Sequence, residues 1–424
     1  MKKSLIILIA FLSLSLVGRA GEGLSQISFR GAWIATVANI DWPSEQAIGN
    51  TETQQAEMIF LLDSLKAIGI NAIIFQVRPT ADALYLSEYE PVSHWLTGKQ
   101  GSWESSWGNQ MSKCDNEKIS KYPDPLEWTI EQAHSRNMDV HVWLNPYRVN
   151  LAKTDTSMIC ADHIWRKHPE WFWEYNKQWY FDPGLDITCD WICTIVSDIV
   201  DRYDIQAIHM DDYFYPYPAG GKPLPDAETF KKYPRGFTDI REWRRANVNR
   251  VIEEISRAIH ECKPDVQFGI SPFGVWRNAS VDSTGSATQT GITNYDDLYA
   301  DIRLWIKEGW IDYVLPQLYW EIGKKVADYE ILAHWWANEV RGTKCKLYIG
   351  MAPYRLEGAS AKTAWGQGNE IGRQMSLNRT IPEITGECFY STRPLLRNPR
   401  QVCDTIRAIY RQETPGPEYY LPWE

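Results

Sequence analysis

Residues 207–216 read AIHMDDYFYP: an apolar stem broken only by His209, then two adjacent carboxylates, then a Tyr-Phe-Tyr-Pro run. A stem with no strict polar alternation is a strand covered on both faces, the condition of a parallel sheet lying between layers of side chains. Charge directly behind such a stem belongs at the C-terminal end of the strand, because a carboxylate inside it would be desolvated without a partner. The same construction recurs along the chain. FRGAWIAT begins at 29, AIIFQVRP at 72, VHVWLNPYR at 140, QFGISPFGV at 267, DYVLPQLYW at 312, LYIGMAPYR at 347 and GECFYST at 386. Successive runs start 35 to 68 residues apart, too far for hairpins and far enough for a crossover helix.

Helical patterns fill the intervals. Thr51 to Ile68 carries Met58, Leu61, Leu62, Leu65 and Ile68 at helical spacing and stops at Gly69, a residue suited to a left-handed cap. Asp124 followed by Pro125 marks the start of another helix. Asp186 to Tyr203, Ile240 to Cys262, Tyr295 to Lys307, Val326 to Val340, a weaker stretch from Asn369 to Asn378, and Pro399 to Tyr410 supply the rest. Eight strands, each followed by a helix, predict an α/β fold, a (β/α)8 TIM barrel. An open doubly wound sheet is the rival, disfavoured because no Gly-rich fingerprint follows the first strand. The barrel is expected to span residues 27–410 as one domain, with a short tail over 411–424. Long loops follow strands 2, 3 and 4 (about 80–123, 149–183 and 216–238) and carry Trp95, Trp103, Trp107, Trp171, Trp173 and Trp179.

The 424 residues are 44% hydrophobic and 23% charged, enough to bury a large core, and the net charge of −10 has no basic block to set against phosphates. Nucleic acid and anionic membrane are therefore not expected partners. The 21 Trp and 22 Tyr exceed what a core usually needs and suit grooves that stack on sugar rings. Residues 1–20 have Lys2 and Lys3, an apolar run from Leu5 to Val17, and Gly18 and Ala20 at a small-residue cleavage site. They read as a secretory signal peptide cleaved near Ala20, with an extracytoplasmic (periplasmic or secreted) mature protein; the run is too short to span a bilayer. Of eight cysteines, Cys114 and Cys160 could pair across two polar stretches, and Cys262, Cys345, Cys388 and Cys403 read as buried thiols. Cys189 and Cys193 share a helix face but lack a partner set for a metal.

Polar residues collect at the ends of the strands, which in such a barrel open on one mouth. They are Gln76 and Arg78; Asn145, Tyr147 and Arg148; His209, Asp211, Asp212, Tyr213 and Tyr215; Ser271; Gln317, Tyr319, Trp320 and Glu321; Tyr354 and Arg355; Tyr390 and Ser391. Asp211 and Asp212 should diverge with the side-chain period of two, one toward the barrel axis and one toward a neighbouring strand or loop. One of them could cap a turn or pair with Arg78 or Arg148, leaving the other catalytic. His209 shares the parity of Asp211 and is either its partner or a structural histidine. Glycosidic cleavage usually needs a carboxylic acid and a second carboxylate. Glu321, behind the aromatic run LPQLYW, is the candidate second carboxylate, with apolar surroundings that would raise its pKa. Asp41 is held in reserve.

FRGAWIAT, WLNPYR, HMDDYFYP and PQLYW, in this order, resemble the glycosyl-hydrolase-like ten family of secreted bacterial TIM-barrel proteins, over roughly residues 27 to 410. The resemblance implies a hydrolase of bacterial cell-wall glycans, in particular peptidoglycan strands stripped of peptides. Carried onto this sequence, it points to Asp211 and Asp212 for chemistry. It also points to Asn145, Arg148, Gln317, Tyr319 and Trp320 as sugar contacts. The strand-end reading adds Arg78, His209, Tyr213 and Tyr354. A glycan-binding barrel without catalysis is the alternative. A metal-dependent deacetylase using Asp211, His163 and His168 is a third reading, poorly served by histidines five residues apart. No Gly-rich phosphate loop suggests an organic cofactor, and the sequence leaves the oligomeric state open.

Overall fold

The computed structural model describes residues 27–101, 124–151 and 156–413. The expected signal peptide, Cys114, Trp103, Trp107 and the end of the tail lie outside the described residues, so the Cys114–Cys160 pairing does too. Ten strands are present among the described residues: β1 (Phe29–Ile34), β2 (Ala72–Arg78), β3 (Asp139–Leu144), β4 (Phe172–Tyr175), β5 (Gln178–Phe181), β6 (Ala207–Met210), β7 (Gln267–Ile270), β8 (Tyr313–Val314), β9 (Lys346–Met351) and β10 (Ile384–Phe389). Eight of them close an all-parallel barrel in the order β1-β10-β9-β8-β7-β6-β3-β2, and β2 pairs with β1 to complete the ring. The eight runs read from the sequence are those eight strands.

The helices follow the expected spans with local differences. Thr51–Ala67 is capped by the Asn50 side chain, which accepts from the Thr53 N–H, and ends before Gly69 at φ +94°, where a Cβ would be strained. Pro125–His134 starts on Asp124, whose carboxylate accepts from the Leu126 N–H. Asp186–Arg202 and Ile240–Cys262 match the apolar periodicity. The expected helix from Tyr295 to Lys307 is two pieces, Asn294–Asp297 and Ile302–Glu308, because Tyr299 adopts φ +55° and Asp301 caps a new start. The last helix runs Val402–Glu413, preceded by a 3-10 turn at Pro399–Gln401. Cys262 is exposed at the end of its helix, contrary to the buried reading, whereas Cys345, Cys388 and Cys403 are buried.

The loop after β3 holds a feature that the strand pattern did not reveal: β4 and β5 form an antiparallel hairpin outside the barrel. Its two-residue turn, Asn176-Lys177, has both residues at positive φ, the geometry of a type I′ turn.

The barrel interior is packed with rings. Phe29 stacks on Tyr348 at 4.2 Å, and Tyr313 lies beside both. The rings fit because glycines face them: a Cβ on Gly269 would fall 1.8 Å from the Tyr313 ring, and one on Gly386 2.3 Å from Tyr348. The Tyr313 hydroxyl lies 2.9 Å from Nδ1 of His141 and 2.9 Å from Nδ1 of His209. Burial holds both imidazoles neutral, His141 pushed down to about 3 and His209 lower than its ordinary value. His209 Nε2 is 2.9 Å from the Ser271 hydroxyl, so both of its nitrogens are occupied within the interior. This polar layer forms the floor beneath the mouth.

Candidate active site

A cavity of about 290 Å³ opens above that floor. Asp211 and Asp212 line it together with Trp33 from β1, Trp143 from β3, Tyr213 and Tyr217 after β6, Ser271 and Phe273 after β7, Gln317, Tyr319 and Trp320 after β8, Arg355 after β9 and Tyr390 after β10. The β6 ladder ends at Met210, so the two aspartates stand beyond the last paired residue, where strict alternation no longer governs them. They do turn to different neighbours, and both still open onto the one cavity.

Asp211 leans toward β3. The Trp143 indole N–H donates to its Oδ2 at 3.1 Å, the Asn145 amide donates to both oxygens at 3.3 and 3.4 Å, and the Tyr213 backbone N–H donates to Oδ1 at 3.1 Å. Asp212 leans the other way, accepting from the Tyr217 hydroxyl and from the Gln317 side chain. Both carboxyls are only 4% exposed. Burial raises the pKa of each, and for Asp211 the charge of Asp212 adds to it. Two such neighbours titrate as a unit, and the upper ionisation of the pair is pushed up to about 7. The pair therefore holds one proton close to neutral pH.

The other expected residues separate into groups. Tyr213, Gln317, Tyr319 and Trp320 line the cavity, with Gln317 anchored by donation to the Ser271 carbonyl at 2.9 Å. Asn145 acts through Asp211. Arg148 donates to the Pro79 carbonyl, sits over the Tyr213 ring at 5.0 Å, and favours the charged forms of both aspartates. Tyr354 packs against Tyr319 and Tyr390, behind the wall.

Five expectations are corrected by the geometry. Arg78 does not reach the mouth: it is 1% exposed and forms a two-pronged ion pair with Glu90 at 2.7 and 2.6 Å. Its remaining donors go to the Asn145 and Pro146 carbonyls. His209 belongs to the interior floor. Glu321 is outside the cavity lining and faces Lys324 at 3.4 Å, since the chain turns away from the mouth after Trp320. Asp41 is absorbed by backbone and hydroxyl donors from Ala35, Ser391 and Arg393, with burial raising it to about 6. His163 and His168 are not in the cavity either; His163 caps the short helix Ile164–Lys167, and His168 stacks on Trp171 at 4.3 Å.

Residues that strand-end reading passed over are Trp33, Trp143, Tyr217 and Phe273. Trp33 and Trp143 sit inside apolar stems, where a Trp reads as core. Tyr217 continues the spacing of Tyr213 and Tyr215, of which Tyr215 is buried; that alternation was the available signal.

Comparison with known proteins agrees with this architecture. The glycosyl hydrolase-like 10 family matches residues 28–366. Glycosyl hydrolase YngK of Bacillus subtilis (strain 168) is 43% identical over 401 residues, covering 94% of this chain and 74% of that protein. Glycosyl hydrolase DigH of Escherichia coli (strain K12) is 37% identical over 379 residues, covering 85% of this chain and 82% of its own length. Among solved structures, the catalytic domain of β-amylase from Paenibacillus polymyxa superposes with a TM-score of 0.53 at 10% identity, over 92% of this chain and 100% of that one, a likeness of fold.

Proposed function

The chain belongs to the glycosyl hydrolase-like 10 family and is a glycoside hydrolase, and from that premise we propose that it cleaves a bacterial cell-wall glycan, peptidoglycan strands stripped of peptide, in an extracytoplasmic compartment. The observation that carries the reading is the pair of buried carboxylates, Asp211 and Asp212, sharing one cavity whose walls are aromatic. Ring faces of Trp33, Trp143, Tyr213 and Trp320 offer stacking surfaces for pyranose C–H faces, and Gln317, Ser271 and Arg355 offer polar contacts for hydroxyl and carbonyl groups.

The chemistry asked of the pair is proton transfer. A glycosidic oxygen leaves as an alcohol only if it is protonated as the C1–O bond breaks, and a carboxyl pair that keeps one proton to about pH 7 is suited to that task. Its partner, ionised and held by donors, faces the developing positive charge at C1 and the ring oxygen. The N-terminal segment of 20 residues, read as a signal peptide, supports the extracytoplasmic placement of such a substrate.

The test is release of soluble glycan from purified, peptide-stripped peptidoglycan by native protein and by D211N and D212N. The reading requires products from native protein that are lost in the variants while their circular dichroism is unchanged. Full activity in both variants rejects the assignment of the pair, and release only from other polysaccharides rejects the substrate.

A further inference from the structure

Asp211 and Asp212 issue from one strand end. Consecutive Cα atoms are about 3.8 Å apart, so both carboxyls approach a bound sugar from the β6 side of the mouth. Cleavage by two carboxylates needs them on opposite faces of the ring. Among the described residues lining the far wall, Trp33, Tyr319, Tyr390 and Arg355 present rings, hydroxyls and a guanidinium. Among the described residues, neither acid that the strand ends offered lines this cavity: Asp41 is held by its three donors, and Glu321 reaches Lys324 through Oε1.

The two carboxyls also differ in what holds them. Both oxygens of Asp211 receive N–H groups, from Trp143, Asn145 and Tyr213, none of which can accept a proton in return. A proton on Asp211 would meet a donor at either oxygen. Asp212 takes N–H donors from Gln317 and from its own backbone, but it also meets the Tyr217 hydroxyl, whose oxygen can turn to accept a proton from it. The fixed negative charge therefore sits on Asp211 and the movable proton on Asp212.

We propose that the nucleophile is supplied by the substrate, as the carbonyl oxygen of a 2-acetamido group on the sugar whose bond is cut, with Asp211 accepting the amide N–H and Asp212 acting as acid and then base. The inference rests on the cell-wall reading, since peptidoglycan sugars carry that group. The acetamido oxygen attacks C1 as the C1–O bond to the leaving sugar breaks; the bonding pair goes to the leaving oxygen, which takes the proton of Asp212. The resulting oxazolinium carries its positive charge on the N–H held by the Asp211 carboxylate. Water then attacks C1 and gives a proton to Asp212, and the C1–O electrons return to the acetamide. One water is added across one glycosidic bond, the anomeric configuration is retained, and both carboxyls end as they began. Trp143, whose indole already bonds Asp211, and Trp33 provide the apolar walls against which the acetyl methyl would rest.

The experiment compares three preparations of peptide-stripped strands with native protein: intact, chemically N-deacetylated, and N-deacetylated then re-acetylated. New reducing ends are counted, and the anomer first formed is read by proton NMR. Expected are retention on intact strands, a turnover number at least about a hundred-fold lower after deacetylation, given the large effective molarity of an attached nucleophile, and recovery on re-acetylation. An inverted product, or equal turnover of deacetylated strands, overturns the nucleophile and leaves the substrate reading standing. No release from any of the three overturns the substrate reading and the inference with it.

Discussion

The indole N–H of Trp143 lies 3.1 Å from Oδ2 of Asp211, and the two residues come from neighbouring strands of the barrel. A ring on β3 thus fixes the carboxylate that follows β6, in a setting where both are nearly excluded from water. Hydrogen bonds to charged groups contribute about 1.5–3 kcal/mol, and tenfold in rate is about 1.4 kcal/mol. W143F, which keeps the ring face and removes the donor, should lower kcat about ten- to a hundred-fold with little change in KM. A rise in KM with kcat unchanged would mean the ring serves binding instead.

Protonation of the pair sets the pH profile. Because its upper ionisation is pushed up to about 7 by burial and mutual repulsion, kcat/KM should fall as pH rises through about 7. The folded state keeps a proton that an unfolded chain, with Asp near its ordinary value, has lost, so folded protein binds more protons between about pH 4 and 7. Stability contributed at this site therefore declines as pH rises across that window. In D212N the remaining Asp211 has no charged neighbour, and the difference in Tm between pH 4.5 and pH 7.5 should shrink. An unchanged difference would place the titration elsewhere.

Tyr217 tunes Asp212 directly. Its hydroxyl donates to the carboxylate and favours the ionised form, so removing it should raise the pKa of Asp212. Y217F is expected to move the alkaline limb of kcat/KM to higher pH while lowering the maximal rate about ten-fold, the worth of one hydrogen bond to a charged group. A limb that stays in place would show that the hydroxyl acts only on the sugar.

Glu321 is the contrasting case. Its carboxylate lies outside the cavity lining and meets Lys324 through Oε1 at 3.4 Å. E321Q should keep turnover within about two-fold of native protein, a difference of under about 0.5 kcal/mol. A loss as large as that of D212N would restore it as the second carboxylate.

The eight strands were legible because each combines a buried stem with a polar end, a pattern that survives in single sequence. The hairpin Phe172–Phe181 was not, since its turn is Asn-Lys instead of the familiar Asn-Gly. At the site, Asp211 and Asp212 announced themselves as adjacent charge behind an apolar stem. Arg78 and His209 carried the same strand-end signature, but Arg78 is paired with Glu90 from a loop and His209 is bonded by Ser271 after β7 and Tyr313 of β8, and sequence spacing holds no trace of those partners. Glu321 misled because being next in sequence to Trp320 says nothing of where the chain turns.

Arg78 and Glu90 provide the sharpest test of a structural role. Both side chains are at most 1% exposed, and they meet through two parallel hydrogen bonds, with the Trp191 indole N–H adding a third to Glu90 at 3.3 Å. Removing one partner strands a buried charge, at a cost of about 3–5 kcal/mol, whereas replacing both by apolar groups is often neutral. R78M and E90L should each lower the midpoint of urea unfolding strongly, and the double variant should recover most of the loss. Because Arg78 also donates to the Asn145 carbonyl, on the segment whose side chain holds Asp211, R78M should additionally lower kcat. E90L leaves that backbone contact available, so its kinetic effect should be the smaller of the two. If the single variants unfold like native protein, the pair contributes nothing to the fold, and Arg78 returns to consideration as a residue of the mouth.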